Sequence, residues 1–308
     1  MDVLDLKVGF KCNNSCIHCV IQRTYKIKEG KELDWKKEIL GWKACKGSCV
    51  NITGGEPTLN KDLIDICLLA KKEGYKVSIQ TNGRLLSDEV LAEKICKTTD
   101  QLVIALHGPN SEVHDSITRK KGSFEQTLKG IKNAQRNGIN PLIKIVLSKL
   151  NYKELKNIMV FLAGLGIRSV RISFPHGLGE AWLNKEKVMP SYNNIKIYIN
   201  DLIGFVKKFN EKNIADQRIS MIFEAIPFCI TGKDKDFFLE RYPKNIITVN
   251  KFSKTENFTK IMKNESRIKF DDCEKCFFDN VCYGPWREYV ELFGTEEFSP
   301  VRSLKHLK

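Results

Sequence analysis

The chain has no long apolar run. No stretch approaches the roughly 18 unbroken apolar residues of a membrane-spanning helix, so a membrane-embedded protein is not expected. Residues 1–10 lack the basic segment followed by an apolar one that marks a secreted protein, which points to the cytoplasm. There is no low-complexity tract and no repeat of fixed period, which sets aside a disordered scaffold and a solenoid. There is also no arginine-rich tract and no aromatic stripe interleaved with basic residues. The formal net charge of +14 therefore reads as a Lys-rich solvated surface, with a nucleic-acid footprint as the lesser alternative. What remains is a chain of 308 residues, 42% hydrophobic and 29% charged, long enough to bury a real core without disulfides. Cysteine is the exception to the ordinary composition. There are 11, in close-set groups near both ends, a pattern of metal ligation rather than of a secreted disulfide framework.

Short apolar or alternating runs at 4–10, 50–53, 75–80, 102–106, 142–147 and 169–174 read as strands. Helical patterns at 35–44, 61–73, 87–96, 123–137 and 153–165 separate them. Strands alternating with helices imply a parallel sheet with right-handed crossovers, and six such units suit an α/β fold of the partial (β/α)6 TIM-like barrel type. Functional residues of such folds gather at the carboxyl ends of the strands. After Trp182 the rhythm changes. A long amphipathic pattern at 192–210 precedes a strand-like run at 218–225 and irregular, cysteine-bearing sequence, with a hairpin expected somewhere in 246–270. The division expected is a core at 1–182, a linking helix at 183–218 and a small cysteine-rich domain at 219–308.

Directly after the first strand, Lys-Cys-Asn-Asn-Ser-Cys-Ile-His-Cys places Cys12, Cys16 and Cys19 together. A structural zinc site closes with four ligands, so zinc here must recruit His18 or a distant residue. An iron-sulfur cubane held by three thiolates instead keeps one iron open to a chelating ligand. The CX3CX2C spacing just beyond the first strand resembles the signature of the radical SAM superfamily. The resemblance implies a 4Fe-4S cluster whose open iron is chelated by S-adenosylmethionine (SAM), with reductive cleavage releasing a 5′-deoxyadenosyl radical. One departure is His18, which stands where an aromatic residue usually precedes the last cysteine.

After the second strand comes Thr-Gly-Gly-Glu-Pro, with Gly54, Gly55, Glu56 and Pro57. Paired glycines let backbone approach a ligand without Cβ interference, and a carboxylate beside them accepts hydrogen bonds from an ammonium group. By resemblance this is the family's GGEP element, which binds the methionine amino group. Thr81 and Asn82, ending the third strand, resemble a further cofactor-binding loop. Ala105 replaces a hydroxyl residue common among relatives, so no SAM contact carries over there. Ser148, Asn151 and the Pro-His-Gly at 175–177 resemble family loops too, with plain turn formers and a helix cap as equal alternatives.

Near the other end, Cys273, Cys276 and Cys282 form a CX2CX5C run, with Cys229 upstream. Three plus one makes four thiolates, a closed set for either zinc or an iron-sulfur cluster. The run resembles the auxiliary-cluster region of SPASM and twitch radical SAM enzymes, although Trp286 stands where a SPASM run has its next cysteine. A second, auxiliary 4Fe-4S cluster is therefore expected. Cys45, Cys49, Cys67 and Cys96 are not assigned to a site.

The resemblance implies an iron-sulfur enzyme that abstracts hydrogen from its substrate, with peptide maturation of the ribosomal-peptide (RiPP) kind as the leading reading. Its partners would be a peptide or small-molecule substrate and a flavodoxin- or ferredoxin-type reductant. Oxidation of a small polar metabolite, RNA modification and a non-catalytic zinc-binding module are the alternatives, the last disfavoured because a zinc module needs neither the GGEP element nor the strand-helix rhythm.

Overall fold

The computed structural model describes residues 2–21, 32–42, 48–231, 234–238 and 245–302, so Cys45 lies outside the described residues. The six expected strands are β1 Val3–Lys7, β2 Cys49–Thr53, β3 Lys76–Thr81, β4 Gln101–Ala105, β5 Leu142–Val146 and β6 Ser169–Ser173, all parallel. Between them run α1 Trp35–Gly41, α2 Leu63–Lys72, α3 Glu89–Thr98, α4 Ser111–Thr118, α5 Ser123–Arg136 and α6 Leu155–Gly164. Local chemistry sets several starts. Asp88 caps α3 by accepting the Leu91 N–H at 2.8 Å, and Asn110 caps α4 by accepting the Val113 N–H at 3.0 Å. In α5, Phe124, Thr127, Ile131 and Ala134 recur at helical spacing and are buried, which fixes the face laid on the sheet.

Residue alternation along the strands separates the two faces of the sheet. Leu4 and Leu6, Val50 and Ile52, Ile143 and Ile145, Val170 and Ile172 are buried in the core shared with the helices. The intervening Asp5, Lys7, Asn51, Lys144 and Arg171 are only partly covered. An ordinary closed barrel fills its interior with layers of branched apolar side chains. Here the inner face is polar and partly accessible, and the barrel stays open.

Two strands from the 219–308 segment extend this same sheet. β7 Ser220–Glu224 adds in parallel to β6, and β8 Ile246–Val249 adds in parallel to the other edge, beside β1. The sheet order is β7-β6-β5-β4-β3-β2-β1-β8-β9, where β9 Lys254–Thr255 turns back antiparallel to β8. That turn is the expected hairpin, much shorter than 246–270, since α11 Phe258–Asn264 takes up the sequence after it. Before β7 come α7 Gly179–Leu183, α8 Lys185–Val188 and the long α9 Tyr192–Glu211, whose Ile195, Ile199, Leu202, Ile203 and Val206 are buried. The cysteine-rich end is made of α10 Phe228–Thr231, the 3-10 turn Asp271–Lys275 and α12 Arg287–Phe293. Tyr289 of α12 packs against Tyr192 with ring centroids 4.2 Å apart and the planes tilted by 33°, and its hydroxyl accepts the Tyr192 N–H at 2.8 Å, which docks this end against α9. No helix among the described residues is long and apolar enough to cross a membrane.

Candidate active site

The loop leaving β1 carries Cys12, Cys16 and Cys19 at the carboxyl end of the sheet, and four neighbours pin its backbone. On one side the Gly55 N–H donates to the Gly9 carbonyl and the Glu56 N–H to the Lys11 carbonyl, both at 2.8 Å. On another, the Ser15 and Ile17 N–H groups donate to the Thr118 and Ile117 carbonyls at the end of α4, at 3.0 and 2.9 Å. The Glu180 N–H of α7 donates to the Cys19 carbonyl at 2.8 Å. Arg84, buried, donates from Nη1 to the Asn13 carbonyl and to Asn14 Oδ1, and from Nε to Gln126 Oε1 at 2.6 Å. Three thiols thus sit on a loop held by hydrogen bonds on several sides, with Cys12 Sγ accepting the Asn14 N–H at 3.4 Å.

The paired glycines serve a partner that the sequence reading did not name. A Cβ on Gly54 would lie 2.2 Å from the Gly9 carbonyl oxygen, and one on Gly55 would lie 2.2 Å from that of Lys11. Gly54 also holds φ at +134°. The close approach is therefore to the cysteine loop's own backbone, where the sequence suggested a ligand.

Glu56 is buried and its carboxylate joins two strand ends. Oε1 accepts the Thr58 N–H at 3.1 Å and the Thr58 and Thr81 hydroxyls at 2.6 Å each, while Oε2 accepts the Asn82 N–H at 2.7 Å. Burial pushes its pKa above the ordinary carboxylate value against the pull of these donors. A carboxylate has about four acceptor positions, and the crowding falls on Oε1, so further capacity remains on Oε2. Pro57 opens the 3-10 turn Pro57–Leu59 that Glu56 caps, a place where its missing N–H costs nothing. Asn82 Nδ2 donates to Asn13 Oδ1 at 2.6 Å and lies 3.9 Å from Cys12 Sγ, so the third strand end also reaches the cysteine loop.

Beside the loop lies a row of three buried histidines, a feature the sequence reading did not assemble. His18 packs edge-on to His107 at 4.5 Å, and His107 stacks with His114 at 5.7 Å. His107 Nδ1 accepts the Val146 N–H and His114 Nδ1 accepts the His107 N–H. Burial depresses all three pKa values, those of His18 and His114 to about 4, so the row is neutral at pH 7. Asn151, fully buried, ties the β4 and β5 loops by donating to the His107 and Val146 carbonyls, and Ser148 donates its N–H to Asn151 Oδ1. Those two family-like residues act here as loop braces. Arg119 donates from Nη2 to Asn184 Oδ1 at 2.7 Å.

Cys229, Cys273, Cys276 and Cys282 all line one cavity of about 400 Å³. Three of the sulfurs each accept a backbone N–H at 3.4 Å: Cys273 from Phe270, Cys276 from Val301 and Cys282 from Gly284. Burial, with the neighbouring thiols of Cys282, Cys276 and Cys273, pushes the Cys229 thiol up to about 12. Four thiols at one cavity, with N–H groups aimed at three of them, fit closed four-thiolate ligation of an iron-sulfur cluster or of zinc. Trp286 stacks on His176 at 3.9 Å and takes the Arg267 guanidinium over its ring at 3.8 Å. The residue in the place of a SPASM cysteine thus joins the cysteine-rich end to the loop after β6.

The profile of the radical SAM superfamily matches residues 6–162. AdoMet-dependent heme synthase of Methanosarcina barkeri is 29% identical over 173 residues, 55% of this chain and 50% of that protein. The chain thus spans about half the length of the curated relatives it matches. Among solved structures, SuiB of Streptococcus suis bound to S-adenosylmethionine superposes with a TM-score of 0.68 at 16% identity, covering 98% of this chain and 76% of SuiB, which has also been solved bound to its precursor peptide SuiA. Native anSMEcpe with AdoMet and a peptide bound gives 0.66 at 14% identity, covering 93% of this chain and 90% of that one. The open parallel barrel, the cysteine loop at its carboxyl end and the profile over half the chain agree: this chain belongs to the radical SAM superfamily, enzymes whose cofactors are a 4Fe-4S cluster and S-adenosylmethionine.

Proposed function

We propose that the chain is a peptide-modifying radical SAM enzyme with an auxiliary cluster. Cys12, Cys16 and Cys19 would hold the 4Fe-4S cluster, with Gly54 and Gly55 docking their loop against β2. Glu56 would keep the β2 and β3 ends together through Thr58, Thr81 and Asn82, and offer the free side of Oε2 to the SAM ammonium. When bound, the cluster and SAM supply a carbon radical that takes a hydrogen atom from the substrate. The protein's part is to hold the loop, keep the buried histidine row neutral beside it and present a polar inner face to the ligands. Cys229, Cys273, Cys276 and Cys282 would hold a second 4Fe-4S cluster, in the cysteine-rich unit read at 219–308.

The observation that supports the auxiliary reading is that four thiols line one cavity, with backbone N–H groups directed at three of them. The peptide reading is supported by fold likeness over nearly the whole chain, cysteine-rich end included, to an enzyme solved with its precursor peptide. The heme synthase match covers only part of the chain, so it speaks for the core more than for the substrate. Anaerobic iron analysis tests the second cluster. A variant with Ala at Cys12, Cys16 and Cys19 should keep about four irons and its iron-sulfur absorption, and zinc in their place rejects the reading. Mass spectrometry of candidate peptides after incubation with SAM and reductant tests the substrate class.

A further inference from the structure

On the inner face of the barrel, the partly covered charged side chains of β1 to β8 among the described residues are Asp5, Lys7, Lys144, Arg171 and Glu224. The β1 side is saturated. Asp5 accepts Lys7 Nζ at 2.7 Å, Asn51 Nδ2 at 2.9 Å and the Thr53 hydroxyl at 3.1 Å. The β5 to β7 side is not. Lys144 and Arg171 are register partners on β5 and β6, and both face the single carboxylate of Glu224 on β7. Glu224 Oε2 accepts the Ser173 hydroxyl at 2.6 Å and Arg171 Nε lies 3.2 Å from Oε1, while Lys144 Nζ is 3.9 Å from Oε2, beyond hydrogen-bond reach.

The three donors of Lys144 and the terminal nitrogens of Arg171 therefore make no hydrogen bond among the described residues. Burial resists the charge on Glu224, but Lys144, Arg171, the Ser173 hydroxyl and Arg267 hold its pKa below the ordinary carboxylate value, so it is ionised at pH 7 and offsets one of the two cations. Glu288 of α12 offers no second offset, since it faces His176 at 3.5 Å and the Arg287 charge. Across β4 the register partner of Lys144 is Ala105, whose methyl accepts nothing. Both cations are reachable, with side chains 31% and 35% exposed. A partly desolvated cation without a hydrogen-bonded partner costs stability, and an anion bound between the two recovers it.

The patch lies between the two cysteine sets. The Lys144 charge adds to the burial that keeps His18 and His107 neutral, which puts it near the residue before Cys19. Arg267, which acts on Glu224 from the other end, lies over Trp286 of the cysteine-rich end.

We propose that Lys144 and Arg171 bind the side-chain carboxylate of an acidic residue in the substrate peptide, so that the enzyme selects peptides carrying Glu or Asp. This deepens the peptide reading of the same site and rests on it. A single carboxylate fits the charge, taking an N–H from Lys144 and the outer edge of the Arg171 guanidinium while Glu224 keeps Nε. A cationic side chain is repelled there, and an amide leaves the surplus charge unmatched.

The test uses the iron-loaded, SAM-bound enzyme and blocked pentapeptides that differ only in a central Glu, Gln or Lys, with glutarate as a free dicarboxylate and affinities read by ligand-observed NMR. The parent should favour the Glu peptide over the Gln peptide about tenfold at low salt. Lys144→Met should bring that preference within about twofold. Glu224→Gln, which removes the offset, should strengthen the Glu peptide about threefold, a gain that a purely structural ion pair does not produce. Lys144→Glu should turn the preference to the Lys peptide, and if it lowers iron content or Tm, the Met variant carries the test. Equal affinity of the parent for the Glu and Gln peptides, or a preference unchanged in Lys144→Met, overturns this proposal alone if peptides are still modified. Loss of SAM affinity in Lys144→Met with the peptide preference intact also overturns it, and assigns the cation to the cofactor's carboxylate. Glutarate bound through Lys144, with no peptide bound or modified, overturns the peptide reading and the proposal with it, leaving a site for a small carboxylate.

Discussion

Replacing Glu56 separates a scaffold role from a ligand role, because its carboxylate is already engaged by the protein. Glu56→Ala strands four donors, the buried Thr58 N–H and Thr58 and Thr81 hydroxyls and the partly buried Asn82 N–H. Hydroxyls can rotate toward other acceptors, but the two amides cannot. Each buried unsatisfied N–H costs about 1–3 kcal/mol, so the loss should be about 4 kcal/mol. For a chain of this length that is roughly 2 °C of Tm per kcal/mol, or about 8 °C. Glu56→Gln keeps one oxygen for the Thr58 and Thr81 donors but sets an amide NH2 against the Asn82 N–H, and should cost about 2 kcal/mol. Because Asn82 reaches Asn13 and Cys12, iron content should fall in the order parent, Gln, Ala. The assays are thermal unfolding by circular dichroism, anaerobic iron analysis and SAM binding on the same preparations. An Ala variant with the parent Tm and iron content but no SAM affinity would refute the scaffold reasoning and leave Glu56 as a ligand contact alone.

Gly55→Ala should cost more than half of the iron bound by the first cysteine set, since its Cβ meets the Lys11 and Phe10 backbone, which has no rotamer to escape into; an unchanged iron count would refute the docking role. His114 is buried neutral with a pKa of about 4, so the unfolded chain binds its proton first. Its contribution is whole above about pH 6.5 and is lost as pH falls toward 4, by up to about 1.4 kcal/mol per pH unit. His114→Gln should flatten the fall of unfolding free energy between about pH 6.5 and 5 by close to one proton in urea titrations, and an identical slope would refute it. Cys276→Ala should lower iron and substrate turnover while sparing slow, substrate-free SAM cleavage; equal loss of both would tie the two cysteine sets into one site.

The strand positions were legible because their signals are local, and the spacing of the two cysteine sets is just as local, while what they bind is left to the iron analyses. Period-2 and helical patterns placed β1 to β7 and most helices within a few residues. Non-local pairing left no such trace. Ile246–Val249 reads as a hairpin strand, and nothing near it shows that Val3–Lys7 offers the edge it completes. The helix Ser111–Thr118 was missed because its eight residues hold few apolar positions, yet its last carbonyls hold the cysteine loop. Arg84 resembles an ordinary loop cation in sequence, and only folding sets its guanidinium on Asn13 and Asn14. The glycine pair was read as a close approach to a ligand and the structure shows one to the Gly9 and Lys11 backbone, because a spacing rule does not say which group approaches.

Whether Cys12, Cys16 and Cys19 carry the chemistry is decided by product analysis after anaerobic incubation of reduced, iron-loaded protein with SAM. The parent should release 5′-deoxyadenosine and methionine, and the variant with Ala at all three positions should release neither, although it keeps the iron of the second set. Deoxyadenosine formed by that variant at the parent rate would contradict the account.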